Sequence, residues 1–500
     1  MNLKKIEILK KMNFGERVAE DEVETLERYF FETEQWASLY KGDIDVVFGP
    51  KGSGKSALYT LLSKKEGDLF DEGILLAPGE NVRGETVFSS IVSEQPPSEI
   101  HLIYLWKLYS LVLVARTLRE YDINNDDSNS LISALEKAGL LPRVKSLSSY
   151  FKAAKDYLLK WVDKDVTSVE HALTIDASTG APTVSRKTEF KDTTELQLLN
   201  EIPVQELLDA ANEALIASGL KIWLVFDRLD VAFVESADLE RNALRALFRV
   251  YNDFKAYEQI GLKIFVRNDI WDRITEGGFR EGSHITKVVN IDWTNDGLLN
   301  MIALRIIDNE VIKDYLDVNE EQVKSDMEEQ EKLFYAIVPS QVDVGKRNST
   351  SINWLISRCA DGTQKTAPRE LLHLLEQARK LQIQRLERGN PEPPESLLFE
   401  RTTFKDALKE VSKTRLNQTL LSEYPHLKDP LDRLKGEKSE HNKGSLSEIW
   451  SELEGYDTDT LCKQLVDVGF FEVRGDQRAP QYWIPFLYRS ALDLVQGKAD

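Results

Sequence analysis

At 500 residues the chain is long enough for two to four domains rather than one. A hydrophobic fraction of 42% with nine Trp supports packed cores, and 30% charged residues with a mean hydropathy of -0.36 give a well-solvated surface. A net charge of -20 argues against attracting bare nucleic acid through the overall field, though not against a local basic face.

Two cysteines, Cys359 and Cys462, cannot build a disulfide framework or a zinc site on their own, and a reducing cytoplasm is the simplest location. Residues 1–22 show neither a sustained apolar core nor a small-residue cleavage site, so no signal peptide is expected. The most apolar run, Leu102–Ala115, carries Lys107 and is short for a bilayer, which makes it a buried helix. No internal repeat stands out.

In chain order, the first informative segment is Asp43–Phe48, whose β-branched and aromatic residues predict a strand. Gly49-Pro50-Lys51-Gly52-Ser53-Gly54-Lys55-Ser56 follows directly, matching G-x-x-x-x-G-K-[ST], and Ala57–Leu62 continues as a helix. Glycines let the backbone turn several N–H groups onto one phosphate, and the helix start adds its positive dipole end. Lys55 supplies a flexible cation for the β- and γ-phosphates, and Ser56 a hydroxyl for Mg²⁺. The pattern arises by chance in roughly 2% of chains this long, and the correct flanks lower that further. The segment Gly49–Ala57 is therefore the expected nucleotide cradle.

A second strand is expected at Gly73–Ala77. The stretch from residue 85 to 200 is read as a helical insertion, with helical periodicity at Leu102–Leu118, Ser128–Leu141 and Leu147–Val162. It separates Lys55 from Asp227 by about 170 residues. Its polar end, Asp163–Thr194, reads as a mobile loop.

Lys221–Phe226 is a clear buried strand, ending in Asp227-Arg228-Leu229-Asp230. A carboxylate at such a strand end completes a Mg²⁺ shell beside a phosphate loop, the role that position gives Asp227. Asp230, one turn on, is the first candidate for orienting or deprotonating an attacking water; the alternative is an N-cap of the next helix. The pattern of two adjacent acids is broken by Arg228.

Leu262–Arg267 predicts another strand, with Asn268 at its end as a γ-phosphate-sensing, water-positioning group. Arg267 is second, with an ion pair to a neighbouring acid as its alternative. His284–Ile291 adds a fifth strand. Strands alternating with helices indicate an α/β fold with a five-stranded, mainly parallel sheet covered on both faces.

Helices are expected at Trp293–Asn309 and Thr350–Ala360, then an amphipathic helix entered through Thr366-Ala367-Pro368-Arg369 and ended by Gly389 and Pro391. Arg369, at the start of this helical lid, is a candidate for contacting the γ-phosphate. Beyond residue 396, Ser445–Leu453 and Asp457–Val468 read as helices, Phe470–Arg474 and Gln481–Pro485 as a hairpin, and Phe486–Val495 as a last helix. This order suggests a winged helix. Its second helix offers one base, Lys463, against Asp457, Asp459 and Asp467, which favours protein contact over DNA. Arg433–Lys443 mixes both signs and reads as a solvated loop. The expected division is a P-loop core over 1–310, a lid over 311–392 and a winged-helix-like domain over 393–500.

Together, Phe48–Ser56, Val225–Asp230, Phe265–Asp269 and Ala367–Glu370 resemble AAA+-related P-loop ATPases. The chain is similar to their STAND and origin-recognition-type branches and to bacterial ATPases associated with antiphage defence. The resemblance implies ATP with Mg²⁺ as cofactors and nucleotide-driven homo-oligomerisation or action on a partner protein. It also implies an arginine that completes a neighbouring subunit's site; Arg241, Arg245 and Arg249 share one helix and are candidates. Adenine over guanine follows from the resemblance, since no Asn-Lys-x-Asp motif is present. Three functions compete. One is an ATPase switch or motor, and another is a nucleotide-gated binding module with negligible turnover. The third, an ABC-type ATPase, is disfavoured because Ala214–Leu220 carries no Leu-Ser-Gly-Gly-Gln-like signature.

Overall fold

Buried apolar strands need partners along their edges and cover on their faces, and five segments of this chain pair in one sheet whose inner strands meet that need. The structure, a computed structural model, describes residues 4–16, 19–30, 32–81, 87–88, 99–142, 146–175, 182–190, 204–229, 237–476 and 478–499. Its first seven strands are β1 (Val46–Gly49), β2 (Ile74–Pro78), β3 (Val166–Ile175), β4 (Pro182–Phe190), β5 (Lys221–Phe226), β6 (Ile260–Arg267) and β7 (Val288–Asn290). Five of them form one sheet in the order β2-β5-β6-β1-β7. The pairs β2–β5, β5–β6 and β1–β7 are parallel, with Leu76 opposite Trp223, Leu224 opposite Leu262 and Val47 opposite Val289. The α/β class and the five-stranded parallel sheet are as the sequence leads one to expect.

The chain divides into two compact units, one of Gln35–Phe48 and Leu58–Asn290, the other of Met1–Glu34, Gly49–Ala57 and Ile291–Asp500. The sheet core belongs to the first. Helices Glu99–Glu120, Val204–Ser218 and Ala237–Phe254 pack with it. Glu99–Glu120 is long and apolar enough to cross a membrane, but 67% of its apolar window is buried. Trp106 Nε1 donates to Ala243 O at 2.8 Å and Tyr109 Oη to Gly79 O at 2.8 Å, so both polar tips are satisfied inside the core.

The insertion contains the expected helices, at Glu99–Glu120, Asp126–Lys137 and Leu147–Asp165. Its polar end does not form the expected loop. β3 and β4 pair antiparallel from Val166↔Phe190 to Ile175↔Pro182. Val166, Val169, Val184 and several Thr supply β propensity that the overall polarity of the segment hides. The fifth core strand is also shorter than expected, because Arg280–His284 turns as a 3₁₀ helix and only Val288–Asn290 pairs.

In the other unit, helices Asn295–Ile307, Ser351–Cys359, Pro368–Glu387 and Arg401–Thr414 share an apolar core with the C-terminal module. That module holds β8 (Lys438–Asn442), β9 (Glu472–Arg474), β10 (Gln481–Trp483) and β11 (Val495–Lys498), in the order β11-β8-β10-β9. With helices Lys443–Ile449 and Thr458–Asp467 it is winged-helix-like. Two expectations fail here. The Arg433–Lys443 segment is not a loop, since β8 lies between β10 and β11. Its inward residues, Ser439 and His441, are polar but bonded, His441 Nε2 to Lys438 O at 2.8 Å. The last helix stops at Arg489, a 3₁₀ turn follows, and Asp493 takes φ +50°, so the chain leaves as β11.

A ladder of cations and rings ties helix Ser351–Cys359 to this module. Arg358 lies 3.5 Å from the Phe486 centroid, Arg489 4.0 Å from Phe486 and 4.6 Å from Trp483, and Arg474 3.7 Å from Trp483. Burial, then repulsion by Arg358 and Arg474, pushes Arg489 down to about 10.

Glu22 and Arg305 form a buried ion pair, with Arg305 Nη1 and Nη2 at 2.7 and 2.8 Å from the carboxylate. Arg305→Met strands the Glu22 charge and destabilises this unit by about 3–5 kcal/mol in chemical denaturation, and adding Glu22→Gln recovers most of the loss. Burial also lowers the His441 imidazole below its ordinary 6.5. The unfolded chain therefore binds a proton that the folded one refuses. Stability is full above the ordinary histidine range and is lost as pH falls below it. Denaturation midpoints at about pH 7.5 and about pH 5.5 should differ by less in His441→Gln than in the parent.

Candidate functional site

The turn that follows β1 has the geometry its glycines allow. Gly52 and Gly54 take φ +82° and +101°, a left-handed backbone that costs L side chains energy. At Gly49 the constraint is proximity, since a Cβ there would lie 2.4 Å from Ser53 Oγ. Helix Lys55–Lys64 begins at once, so its unsatisfied first-turn N–H groups follow directly on the turn.

Lys55 Nζ folds back to Gly49 O at 2.8 Å and Pro50 O at 2.9 Å. Ser53 is buried, and its Oγ has no hydrogen-bond partner among the described residues. Ser56 and Ala57 are half-buried at the helix start. Three contacts brace the loop from outside. Trp293 Nε1 donates to Ser53 O at 2.8 Å, and Lys51 forms an ion pair with Glu423. Arg369 makes the third, its Cβ 3.2 Å from where a Cβ on Gly52 would stand. The structure thus brings Arg369 to the Gly49–Ser56 loop, and its buried Nε has no hydrogen-bond partner among the described residues.

A narrow cleft runs beside the loop, with Pro50, Lys51, Ser53, Trp293, Glu370 and Arg415 among its walls. Sequence reasoning missed Trp293 and Glu423 as loop contacts. Trp293, an indole donor just past the last core strand, was open to suspicion; nothing local marks Glu423.

The strand ends form the second group. Asp227, 3% exposed, follows β5 directly. Beside it the buried Tyr59 phenol is raised well above its usual range by burial first, then by Asp227 and Glu80. Tyr59 Oη donates to Glu80 O. Arg228 takes φ +55° and points Nη1 at Asn81 O, 3.4 Å away. Asp230 lies outside the described residues.

Asn268 opens the helix after β6, next to β5 in the sheet. Its Nδ2 is 3.4 Å from Asn290 Oδ1 at the end of β7, and its buried Oδ1 has no hydrogen-bond partner among the described residues. Asp227, Asn268 and Asn290 thus stand at the carboxyl ends of β5, β6 and β7. Arg267 is held by Asp269 through two bonds of 2.9 and 2.8 Å. Of the three helix arginines, Arg241 pairs with Asp238 at 2.7 Å, and Arg245 donates to Ile274 O, Glu276 O and Gly278 O. Arg249 bridges Glu99 and Glu281.

No family model matches the chain, and no curated protein matches it. Among solved structures it is similar to the Aeropyrum pernix ORC1 protein in complex with DNA. There the identity is 12%, the TM-score 0.36, and 96% of each chain is covered. It is also similar to the Aeropyrum pernix ORC2 protein, at 12% identity and TM-score 0.31, over 94% of this chain and 93% of that one. A third likeness is a Walker-type ATPase of Pyrococcus abyssi, at 11% identity and TM-score 0.38, over 93% and 96%.

Two of the loop's three glycines separate backbone strain from crowding. At Gly54 a Cβ meets only Trp293, at 4.0 Å, whereas at Gly52 it meets Arg369 at 3.2 Å. Gly54→Ala is expected to cost about 1–2 kcal/mol in thermal or chemical denaturation, and Gly52→Ala more than that.

Proposed function

We propose that this chain binds ATP with Mg²⁺ at Gly49–Ala57, hydrolyses it, and uses the nucleotide state to control self-association or a partner protein. The observation that carries the reading is the turn itself: left-handed backbone at Gly52 and Gly54 between a parallel core strand and a helix that starts at Lys55. Such a turn aims successive amides at one anion.

The residues fit the ligand. Gly49, Gly52 and Gly54 leave a cradle that side chains would fill or strain. Lys55 Nζ donates to two neutral carbonyls, which a triphosphate outcompetes by charge. Ser56 and Asp227 are the groups assigned to Mg²⁺, which when bound supplies charge neutralisation on the phosphates. Asn268 is assigned to hold the attacking water, Arg369 to contact the γ-phosphate, and Asp230 to take the proton. The sequence resemblance supports adenine, an AAA+ or STAND-type switch and a role in antiphage defence, and the low cysteine content supports a cytoplasmic setting. The winged-helix-like module is assigned to protein docking, with nucleic acid as the alternative.

A second reading, a nucleotide-gated module with negligible turnover, is favoured by one observation. The position after Asp227 holds Arg228, which faces Asn81 O rather than supplying a second acid. Phosphate release separates the two. In the first reading, Lys55→Ala and Asp227→Asn each lower turnover by about 100-fold or more. Wild-type turnover equal to that of Lys55→Ala, with ATP still bound in calorimetry, leaves the gated module. No calorimetric binding overturns both. Light scattering with and without an ATP analogue and Mg²⁺ tests the association step.

A further inference from the structure

The first turn of helix Pro368–Glu387 holds two charged neighbours. Arg369 lies against the phosphate loop at Gly52. Glu370, 4% exposed, is its neighbour on the wall of the same cleft. Its Oε1 accepts from Arg415 Nη1 at 2.8 Å. Arg415 sits on the π-helical turn Arg415–Leu420, a kind of turn found often at functional sites. Its side chain is 11% exposed. Nη2 is 3.6 Å from Asp361 Oδ2, and Nε donates to Tyr488 Oη at 3.3 Å, in the C-terminal module.

The link between Asp361 and Glu370 is short. Asp361 N donates to Lys365 O at 3.1 Å and Ala360 bridges to Thr366, so residues 360–366 form a closed turn immediately before Pro368. That turn is seated on the C-terminal module. Gly362 N donates to Gly469 O at 2.6 Å, and a Cβ on Gly362 would lie 2.3 Å from Phe471 O. Gln364 Nε2 donates to Glu472 Oε1 at 3.1 Å. One guanidinium therefore joins the entry turn of the lid helix, the first turn of that helix and the C-terminal module.

We propose that Arg415 is a positioning residue for Arg369: by holding Glu370, Asp361 and Tyr488 together it fixes Arg369 at the phosphate loop and makes γ-phosphate recognition depend on the docked C-terminal module. The inference rests on the reading of Arg369 given above. The contacts of Arg415 are to Glu370, Asp361 and Tyr488, so its role is exerted through the carboxylate next to Arg369. Removing its charge leaves Glu370 and Asp361 as two uncompensated acids at one helix start. Loss of the charge-assisted bond between Arg415 and Glu370, common to changes at either residue, releases the turn that aims Arg369, and in Arg415→Gln the repulsion of the two acids adds to it.

The test is the ratio of ATP-analogue to ADP affinity, by calorimetry in Mg²⁺, on the full chain. Arg369→Ala should lower the preference for the triphosphate by about 10-fold, the scale of one charge-assisted contact. Arg415→Gln and Glu370→Gln should each lose most of that preference, with ADP affinity within about 2-fold of wild type, and Arg415→Lys should keep part of it. The double variant Arg369→Ala/Arg415→Gln should be no worse than Arg369→Ala alone, because both remove one contact. A merely structural Arg415 would lower affinity for both nucleotides alike, and that result overturns the proposal, as does full triphosphate preference in folded Arg415→Gln. Should Arg415→Gln fail to fold, Glu370→Gln, which keeps the side chain's shape, decides in its place. An unchanged ratio in Arg369→Ala instead removes the role given to Arg369, and the positioning role falls with it.

Discussion

A backbone can turn several amide hydrogens toward one point only where side chains do not forbid the conformation, and this constraint governs the Gly49–Ser56 turn. Gly52 and Gly54 supply the left-handed steps and Gly49 the close approach to Ser53. A cup of like-oriented dipoles is electrostatically unfavourable until an anion meets it, so the protein must hold it open by other means. It does so from outside. Trp293 bonds the Ser53 carbonyl, Lys51 is paired to Glu423, and Arg369 closes on Gly52. Each brace comes from sequence more than 200 positions away, so the loop is made locally but kept in shape by Trp293, helix Pro368–Glu387 and Glu423.

The same unit buries several charges, and they are organised rather than scattered. Glu22 with Arg305, and Arg415 with Glu370 and Asp361, satisfy one another at hydrogen-bond distance or just beyond. Buried pairs contribute little net stability against apolar replacements, yet breaking one is expensive. Such groups are therefore better suited to fixing which arrangement is adopted than to strengthening it. The Arg358–Phe486–Arg489–Trp483–Arg474 ladder works differently. Three cations lie close together, and the ring faces between them offset their repulsion. In a chain with a net charge of -20 this concentration of arginine is local, and it bonds lid to module instead of forming a basic surface.

How much of this was legible in the sequence depends on whether the signal was local. The phosphate loop was readable because eight consecutive residues carry it. β5 was readable because an unbroken apolar run ending in Asp227 has few other interpretations. The helical insertion showed in its periodicity. β8 did not show, because its inward positions are Ser439 and His441, polar groups made acceptable inside only by partners such as Ser445, invisible before folding. The β3–β4 hairpin was masked by polar composition, which reports solvent contact and not backbone pairing. The last helix was overextended because nothing in the sequence marks Asp493 as the residue that adopts φ +50°. Arg415 was beyond reach for a different reason. Its partners lie 45, 54 and 73 positions away, and no pattern within a helix encodes which distant carboxylates a buried arginine will meet.

Under the proposed reading, the question is why recognition of a terminal phosphate would involve a module so far along the chain. A side chain that senses one phosphate must be held to a fraction of an ångström, because a charge-assisted contact weakens steeply with misalignment. Arg369 stands on the first turn of a helix, where no preceding turn restrains it, and Pro368 fixes only the entry dihedral. The rigidity must come from what the entry turn rests on. Residues 360–366 are seated on Gly469 and Phe471 with no room for a side chain at Gly362, and Arg415 clamps both ends of the segment. An arginine aimed by such a support responds to the support as strongly as to its ligand, and linkage makes the dependence mutual. On the proposed reading, whatever binds the C-terminal module and shifts Tyr488 or the Gly469–Phe471 edge alters the affinity for ATP. ATP binding in turn alters the affinity of the module for that partner by the same factor. On the same reading this reciprocity requires no fast hydrolysis, so it is compatible with Arg228 at the position after Asp227.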